Sequence, residues 1–334
     1  MRQGGAPPTG KWIGNATDGV KAPEPILQPD PARRFSATAE RLAALAPAHA
    51  MADWLGFMAR LSWAQHEAAV TSAPPRPPSA AELTQASEMR RPPLAPDIHR
   101  RDSQWRDGLA VLLAAVDDPA VPEAARAQAR RLRQADTEAV DGLANRFLEG
   151  AVSGEEAAAA LYVAAALQVY YTRAAAALPS SALRLLPVRG ECPSCGSTPV
   201  AGVITATGPT PGVRYLYCSL CSTAWNHVRA VCITCEDTRD LSLKAIEGGS
   251  GAVVAETCGA CKTYAKMLYQ AKDTRADPYA DDLATLGLDL LLSEGGWFRH
   301  APNPLLLTGS VTDSVADSKS EGRPPYFTKS QPPR

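Results

Sequence analysis

The eight cysteines of this chain constrain its fold more than any other feature. They form four Cys-x-x-Cys pairs, and every cysteine belongs to one of them. Each half of the set reads C-x2-C-x22-C-x2-C, the spacing of a four-thiolate tetrahedral metal site. The second half repeats the first at an offset of forty residues, giving Cys192, Cys195, Cys218 and Cys221, then Cys232, Cys235, Cys258 and Cys261. The sequence therefore predicts two duplicated metal-binding ribbons.

The repeat also predicts how the sulfurs are grouped. A short turn presents two sulfurs, and an insert of about 22 residues is long enough for a hairpin that brings back the second turn. So small a β module buries little apolar area, so the metal itself must stabilise it. The symmetry favours one site from Cys192 to Cys221 and another from Cys232 to Cys261. A crossed grouping of Cys218 and Cys221 with Cys232 and Cys235 stays open.

The identity of the two metal ions is not decided by the ligands. Four thiolates suit zinc and a rubredoxin-type single iron almost equally. Gly196 follows the first Cys-x-x-Cys pair and would let a backbone N–H approach a sulfur. Ser222, Glu236 and Lys262 occupy the same place after the other pairs.

Composition restricts where such a chain works. Its 334 residues leave room for two domains, and the apolar fraction of 45% suits a soluble globular protein. The first thirty residues contain neither an apolar export segment nor twin arginines, so we expect a cytoplasmic protein whose cysteines bind metal. The longest apolar stretch, residues 157–167, is too short to span a bilayer. No membrane insertion is expected.

The expected fold class is α+β. It comprises an N-terminal all-helical domain, two tandem rubredoxin-like or zinc-ribbon β modules and a C-terminal helix. The predicted divisions are a disordered N-terminus (1–25), a helical domain (26–185), the duplicated module (186–271, as 187–226 and 227–271), a C-terminal helical segment (272–306) and a disordered tail (307–334).

Hydrophobic spacing predicts the helices of the first half. They begin at Asp30, with Pro31 in the first helical position, and continue at residues 51–70, 103–116, 126–147 and 153–178. Ser153 and Glu156 are expected to form a capping box for the last of these. No segment before residue 180 alternates like a strand.

In the second half, the sequence pattern predicts short strands followed by helices at the C-terminal end. Strands are predicted at residues 200–204, 213–217, 228–231, 241–246 and 253–256, with a hairpin turn at Glu247. Helices are predicted at residues 262–271 and 279–293. The last helix carries a stripe of Leu283, Leu286 and Leu290, and Asp281 and Asp282 are interpreted as a solvated face. His227 is interpreted as exposed or strand-facing.

Several chemistries are disfavoured by these patterns. A thioredoxin-like enzyme needs one reactive pair near a βαβ unit, not four matched pairs among strands. Residues 189–270 contain seven Lys and Arg against six Asp and Glu, and two four-thiolate sites would make that region negative. Nucleic acid is therefore not an expected partner. No Ser/His/Asp or Cys/His constellation is apparent, so a non-enzymatic protein is expected.

Longer strings around the cysteines resemble a known family. They are CPSCGSTPVAG from Cys192, RYLYCSLCSTAW from Arg214, CITCED from Cys232 and IEGGSGAVVAETCGACKTYAKMLYQ from Ile246. DPYADDLATLGLDLLL from Asp277 and NPLLL from Asn303 continue the match, with weaker echoes from Leu27 and Ala164. These strings are similar to the formate dehydrogenase accessory proteins called FdhE. Tyr217 departs from the family, which has a histidine immediately before the pair Cys218 and Cys221.

The resemblance implies a function that spacing alone does not. Members are cytoplasmic maturation factors for respiratory formate dehydrogenases, bind the catalytic subunit and carry rubredoxin-like iron on these eight cysteine positions. The chain is accordingly expected to be such a factor and to use helical surfaces and metal-stabilised ribbons for binding. The alternatives are a two-centre rubredoxin-like electron carrier and an inert zinc-ribbon interaction scaffold. The leucine stripe of the last helix also permits a homodimer.

Overall fold

The computed structural model describes residues 22–306 except 97, 208, 209 and 302, so most of the two segments predicted to be disordered lies outside it. The helices are α1 (Pro31–Leu45), α2 (Ala52–Thr71), α3 (Ala80–Glu88), α4 (Trp105–Ala115), α5 (Glu123–Gln134), α6 (Thr137–Glu149), α7 (Ala157–Ala176), α8 (Ala280–Ala284) and α9 (Leu286–Glu294). The strands are β1 (Ile26–Leu27), β2 (Pro199–Ile204), β3 (Arg214–Cys218), β4 (Ala224–Asn226), β5 (Leu241–Lys244), β6 (Val253–Cys258), β7 (Thr263–Tyr269) and β8 (Phe298–Arg299). This arrangement confirms the α+β class.

Helix α7 forms the centre of the helical region. It is apolar on nearly every face, and most of its residues are buried, as expected of a helix surrounded by other elements. Helices α2, α4, α5 and α6 pack around it, and α1 packs against α2. The core continues from α7 into the cysteine region, because the same apolar cluster contains Leu167, Leu216 and Trp225.

Two predictions for the helical region are wrong. The helix predicted at residues 126–147 is two helices, because Ala135 is extended and Asp136 accepts a hydrogen bond from the Ala139 N–H as the N-cap of α6. Ser153 and Glu156 do interact, but α7 begins only after a turn, at Ala157. Helix α3 was not predicted. Its capping box is formed by Ser79 and Glu82.

The strands join into one sheet within the described residues, in the order β1-β4-β3-β2-β7-β6-β5, with β8 beside β7. Strands β2, β3 and β4 form an antiparallel ribbon, and β5, β6 and β7 form another. The two ribbons meet where β2 runs parallel to β7, pairing Gly202 with Met267. A Cβ at Gly202 would lie 2.5 Å from the Met267 sulfur, so a larger residue at this junction would force the buried Met267 side chain to move.

The region around the second pair of turns differs from its prediction. Residues 262–271 were expected to be helical, yet Thr263–Tyr269 forms β7. Residues 228–231 were expected to be a strand, but the strand is Ala224–Asn226. The two observed strands are equivalent in the repeat, since an offset of forty places β4 onto the first part of β7. The hairpin turn predicted at Glu247 joins β5 to β6 and is confirmed.

The C-terminal helix predicted at residues 279–293 is broken at Thr285 into α8 and α9. Its buried leucines are Leu283, Leu288 and Leu292, whereas Leu290 is 60% exposed. The predicted stripe through Leu286 and Leu290 is therefore wrong, because the break changes the helical phase.

The acidic residues of this segment are buried, which corrects their interpretation as a solvated face. Asp281 accepts two hydrogen bonds from the Arg41 guanidinium. Asp282 lies against Lys266 and Arg299. Burial alone would raise the pKa of Asp282, but these two cations lower it.

No helix in the described part of the chain is long and apolar enough to cross a membrane.

Candidate metal centres

Each Cys-x-x-Cys turn, here called a knuckle, folds back on itself through a backbone hydrogen bond. Gly196 N–H donates to the Cys192 carbonyl at 2.9 Å, and Glu236 N–H donates to the Cys232 carbonyl at 3.1 Å. The residue after the second cysteine has a positive φ in all four knuckles: Gly196 at 83°, Ser222 at 61°, Glu236 at 60° and Lys262 at 59°. This left-handed residue turns the chain so that both sulfurs of a knuckle face the same point.

The structure brings Cys192, Cys195, Cys218 and Cys221 together as the first cluster. Their sulfurs lie within 4.8 Å of one another. The Cys192 sulfur is 3.5 Å from that of Cys221, and the Cys195 sulfur is 3.5 Å from that of Cys218. Backbone N–H groups of Ser194 and Leu220 point to the Cys192 and Cys218 sulfurs at 3.4 Å.

The second cluster consists of Cys232, Cys235, Cys258 and Cys261, again within 4.8 Å. The sulfurs of Cys232 and Cys261 are 3.7 Å apart, as are those of Cys235 and Cys258. The grouping is thus the sequential one favoured by the repeat, not the crossed one.

Hydroxyl groups link the knuckles in both clusters at equivalent positions. In the first, Thr223 donates to Ser194 at 2.9 Å and lies 3.2 Å from the Cys221 sulfur. Forty residues later, Thr263 and Thr234 are 2.8 Å apart, and Thr263 lies 3.0 Å from the Cys261 sulfur. These residues were not singled out from the sequence, although the offset of forty could have found them.

The donor set fits a tetrahedral metal ion. Sulfurs bound at about 2.3 Å to one ion would be about 3.8 Å apart, close to the separations in both clusters. Burial raises the pKa of the Cys192 and Cys218 thiols well above their usual range. Four thiolates at such a place therefore need a compensating cation. Either zinc or iron satisfies this geometry.

The two histidines near the clusters are not part of either sulfur set. His227 is buried beside Arg214, and burial followed by the Arg214 charge lowers its pKa to about 4. His300 was not predicted as a site residue, and its Nδ1 lies 2.7 Å from the Thr234 hydroxyl. His227 is thus neither exposed nor a fifth ligand.

Tyr217 is half-buried and packs against an apolar cluster that includes Val200 and Val203.

Comparison with known families covers almost the whole described chain. A family model described as FdhE, N-terminal, matches residues 23–187, and the FdhE central domain matches residues 191–229. The FdhE C-terminal domain matches residues 230–306. The chain belongs to the FdhE family. The central and C-terminal matches divide the two cysteine clusters between them.

Similar proteins carry the same family name. A protein named Protein FdhE homolog from Edwardsiella ictaluri is 38% identical over 286 residues, covering 85% of this chain and 92% of that protein. Protein FdhE from Salmonella arizonae is 35% identical with the same coverage. The crystal structure of the FdhE protein from Pseudomonas aeruginosa matches with a TM-score of 0.78 and 35% identity, covering 86% of this chain and all of that one. Fold and family agree.

Proposed function

We propose that this protein is a non-enzymatic accessory factor in the maturation of formate dehydrogenase and that it works in the cytoplasm. The observation that carries the proposal is the match to FdhE across all three segments, residues 23–187, 191–229 and 230–306. The FdhE resemblance associates these segments with binding of the enzyme's catalytic subunit. Two intact cysteine clusters within the matched segments support the same assignment.

An apolar surface on the C-terminal segment supplies a place for the catalytic subunit to bind. Leu290 and Leu291 on α9 are 60% and 57% exposed, and Phe298 on β8 is 67% exposed. Leu290 and Leu291 are adjacent in the chain, and β8 packs against α9. Large exposed apolar side chains on neighbouring elements are typical of interaction surfaces. We refer to Leu290, Leu291 and Phe298 as the C-terminal apolar residues. The same residues could serve a homodimer in the absence of the enzyme subunit.

The eight cysteines are proposed as the ligands of two metal ions. Each ion would tie a hairpin to its knuckles and so supply most of the folding free energy of its ribbon. Zinc would act only in this way, while iron would add the capacity for one-electron exchange. The accessory role is compatible with either ion.

An electron carrier is the second candidate, and one observation favours it. Cys235 is exposed and Cys261 is half-buried, so the second cluster reaches the surface as an electron-transfer site must. Metal analysis and the visible spectrum of anaerobically purified protein distinguish the candidates. A colourless protein with two zinc ions that restores full formate oxidation excludes the carrier.

The accessory role is tested by deleting the chain's gene and measuring formate oxidation. The deletion should abolish activity of the client enzyme, and the intact chain should restore it and co-purify with the catalytic subunit. Replacing Leu290 and Leu291 with Asp should prevent co-purification while the variant stays folded. Val70→Asp is the control, because Val70 is 55% exposed on the distant helix α2. Unchanged formate oxidation after deletion would refute the proposal.

A further inference from the structure

The two cysteine clusters share a ligand set but not an environment. All four cysteines of the first cluster are 0% exposed. In the second cluster, Cys232 and Cys258 are buried, Cys261 is half-buried and Cys235 is exposed. A sequence repeat with matched spacing does not reveal this difference, because it arises from what packs over each ribbon.

Helices cover the first cluster and hold its knuckles directly. Gln168 on α7 donates to the Ser219 carbonyl at 2.8 Å, and Thr172, one turn further on, is 3.1 Å from the Ser222 hydroxyl. Arg34 on α1 donates to the same hydroxyl at 2.9 Å. All four cysteines belong to the apolar cluster that contains the core of the helical region. Opening the first cluster therefore requires separation of α1 and α7 from the sheet.

The second cluster is held mainly by its own ribbon and by the segment around β8. His300 contacts the Thr234 hydroxyl at 2.7 Å, and the Phe298 N–H donates to the Lys262 carbonyl at 2.8 Å. Among the described hydrogen bonds, none joins residues 232–236 or 258–262 to a helix of the N-terminal region. Among the described residues of its two knuckles, Ile233 is the one that belongs to the apolar core of the helical region. Opening the second cluster therefore disturbs less of that core than opening the first.

A small cavity also reaches the second cluster. Its volume is about 10 Å³, and its lining includes Cys232, Cys258, Glu256 and His300. That volume is about enough for one water molecule. The Nε2 atom of His300 is buried and makes no hydrogen bond with any described residue. A small polar molecule thus has both space and a hydrogen-bonding group beside these ligands.

We propose that the second cluster is an exchange site for a soft divalent cation, whereas the first cluster retains its cation as part of the core. The inference rests on the proposed metal binding. Exchange begins at Cys235, whose sulfur is replaced by a donor atom of the competing ligand. The released thiolate takes a proton from water, and no electrons are transferred.

The test uses the full chain loaded with zinc and an excess of the chelator 4-(2-pyridylazo)resorcinol. Zinc release should occur in two phases, each accounting for one ion per chain. The slow phase should be at least about tenfold slower, because it needs the larger opening. Release of both ions at one rate would overturn the inference. A chain that binds no zinc would instead refute the proposed metal binding.

Cys235→Ser and Cys195→Ser form a matched pair, because they are equivalent positions in the repeat. Cys235→Ser should abolish the fast phase, keep the slow phase and retain the helical circular dichroism. Cys195→Ser should lose the folded core together with its metal, since the first cluster lies inside that core. Loss of the slow phase in Cys235→Ser with the fast phase retained would contradict the assignment.

A measurement on the unmodified protein removes dependence on whether the variants fold. In a short pulse of iodoacetamide, a cysteine thiolate forms a carbon–sulfur bond and iodide leaves. Mass spectrometry of the zinc-loaded chain should show Cys235 and Cys261 modified before any cysteine of the first cluster. Equal modification of both clusters, or earlier modification of the first, would overturn the inference.

Discussion

The residue after the second cysteine of each knuckle adopts the same backbone conformation, although its identity differs in all four knuckles. Gly196, Ser222, Glu236 and Lys262 all have φ between 59° and 83°. A non-glycine residue in this left-handed region costs about 1–2 kcal/mol. The two cysteines of each knuckle, which we propose as metal ligands, would hold the backbone in this conformation. The lack of glycine in three knuckles therefore stores strain but does not prevent the fold.

Replacing Glu236 tests this strain at a position where the side chain has little else to do. Glu236 is exposed and has φ of 60°. Glu236→Gly should raise the free energy of unfolding of the metal-loaded protein by about 0.5 kcal/mol, the strain relief reduced by the greater entropy of unfolded glycine. Glu236→Val should lower it, because a β-branched residue is a poor fit to positive φ. Urea denaturation at constant free metal would measure both, and destabilisation by Glu236→Gly would contradict the argument.

Sequence patterns located the eight cysteines and their grouping but not the buried ion pairs between distant parts of the chain. Spacing is sufficient to predict the clustered cysteines, because the repeat identifies them directly in the sequence. Asp281 was interpreted as solvated because its partner Arg41 is 240 residues earlier in the chain. Local periodicity contains no information about such a distant pair. The contact of His300 with Thr234 was not predicted for the same reason, because the two residues are also far apart in the sequence.

At the scale of elements, one face of α1 connects the C-terminal segment to the first cluster. Arg34, Thr38 and Arg41 lie at helical intervals along this face. Arg34 covers the Tyr279 ring at 3.2 Å, and Thr38 donates to Asp277 at 3.0 Å. Arg41 binds both Asp281 and Asp273. A single helix thereby fixes the start of α8 against the sheet.

Arg41→Met should destabilise the protein by about 3–5 kcal/mol, because it leaves Asp281 buried without its cation. Arg33→Ala is the control, since Arg33 is exposed on the same helix and should change the free energy of unfolding by less than about 0.5 kcal/mol. Chemical denaturation followed by circular dichroism would compare them. Adding Asp281→Asn to Arg41→Met should restore part of the loss; no restoration would show that the pair is not coupled.

Elements that keep one pattern along their whole length were predicted best, whether helical or extended. Four of the five predicted strands lie within two residues of β2, β3, β5 and β6. Helix α2 agrees within a residue or two, because twenty residues of periodic pattern leave little ambiguity. Residues 262–271 were assigned to a helix because a short mixed segment fits both periods. Tertiary pairing of β7 with β6 and β2 determines the strand there.

At the scale of the whole molecule, the helical region and the ribbons share a core. The short strand β1, which precedes the first helix, pairs with β4 at Ile26 and Trp225. Helix α7 buries apolar residues against the first cluster. The prediction that residues 26–185 and 186–271 are separate domains stays a prediction, because a shared core does not decide whether each part folds independently.

Expression of the two parts separately tests that division. Residues 26–185 alone should aggregate or expose apolar surface, because the face of α7 that packs on the first cluster would meet water. Co-expression with residues 186–306 should restore a soluble complex. Dye binding to exposed apolar surface and size-exclusion chromatography would measure both states. A monomeric, cooperatively unfolding 26–185 fragment would show that the regions fold independently.

The parallel pairing of β2 with β7 has a consequence for symmetry. All equivalent strands of the two ribbons point the same way, so the duplication is a translation across the sheet, unlike the twofold rotation that relates the subunits of most dimers. A translation has two unlike ends. Strand β1 covers one of them, and among the described strands β5 has only β6 as a neighbour at the other. One end of the repeat is thus paired with a strand from outside the repeat, and at the other end a further strand would continue the series.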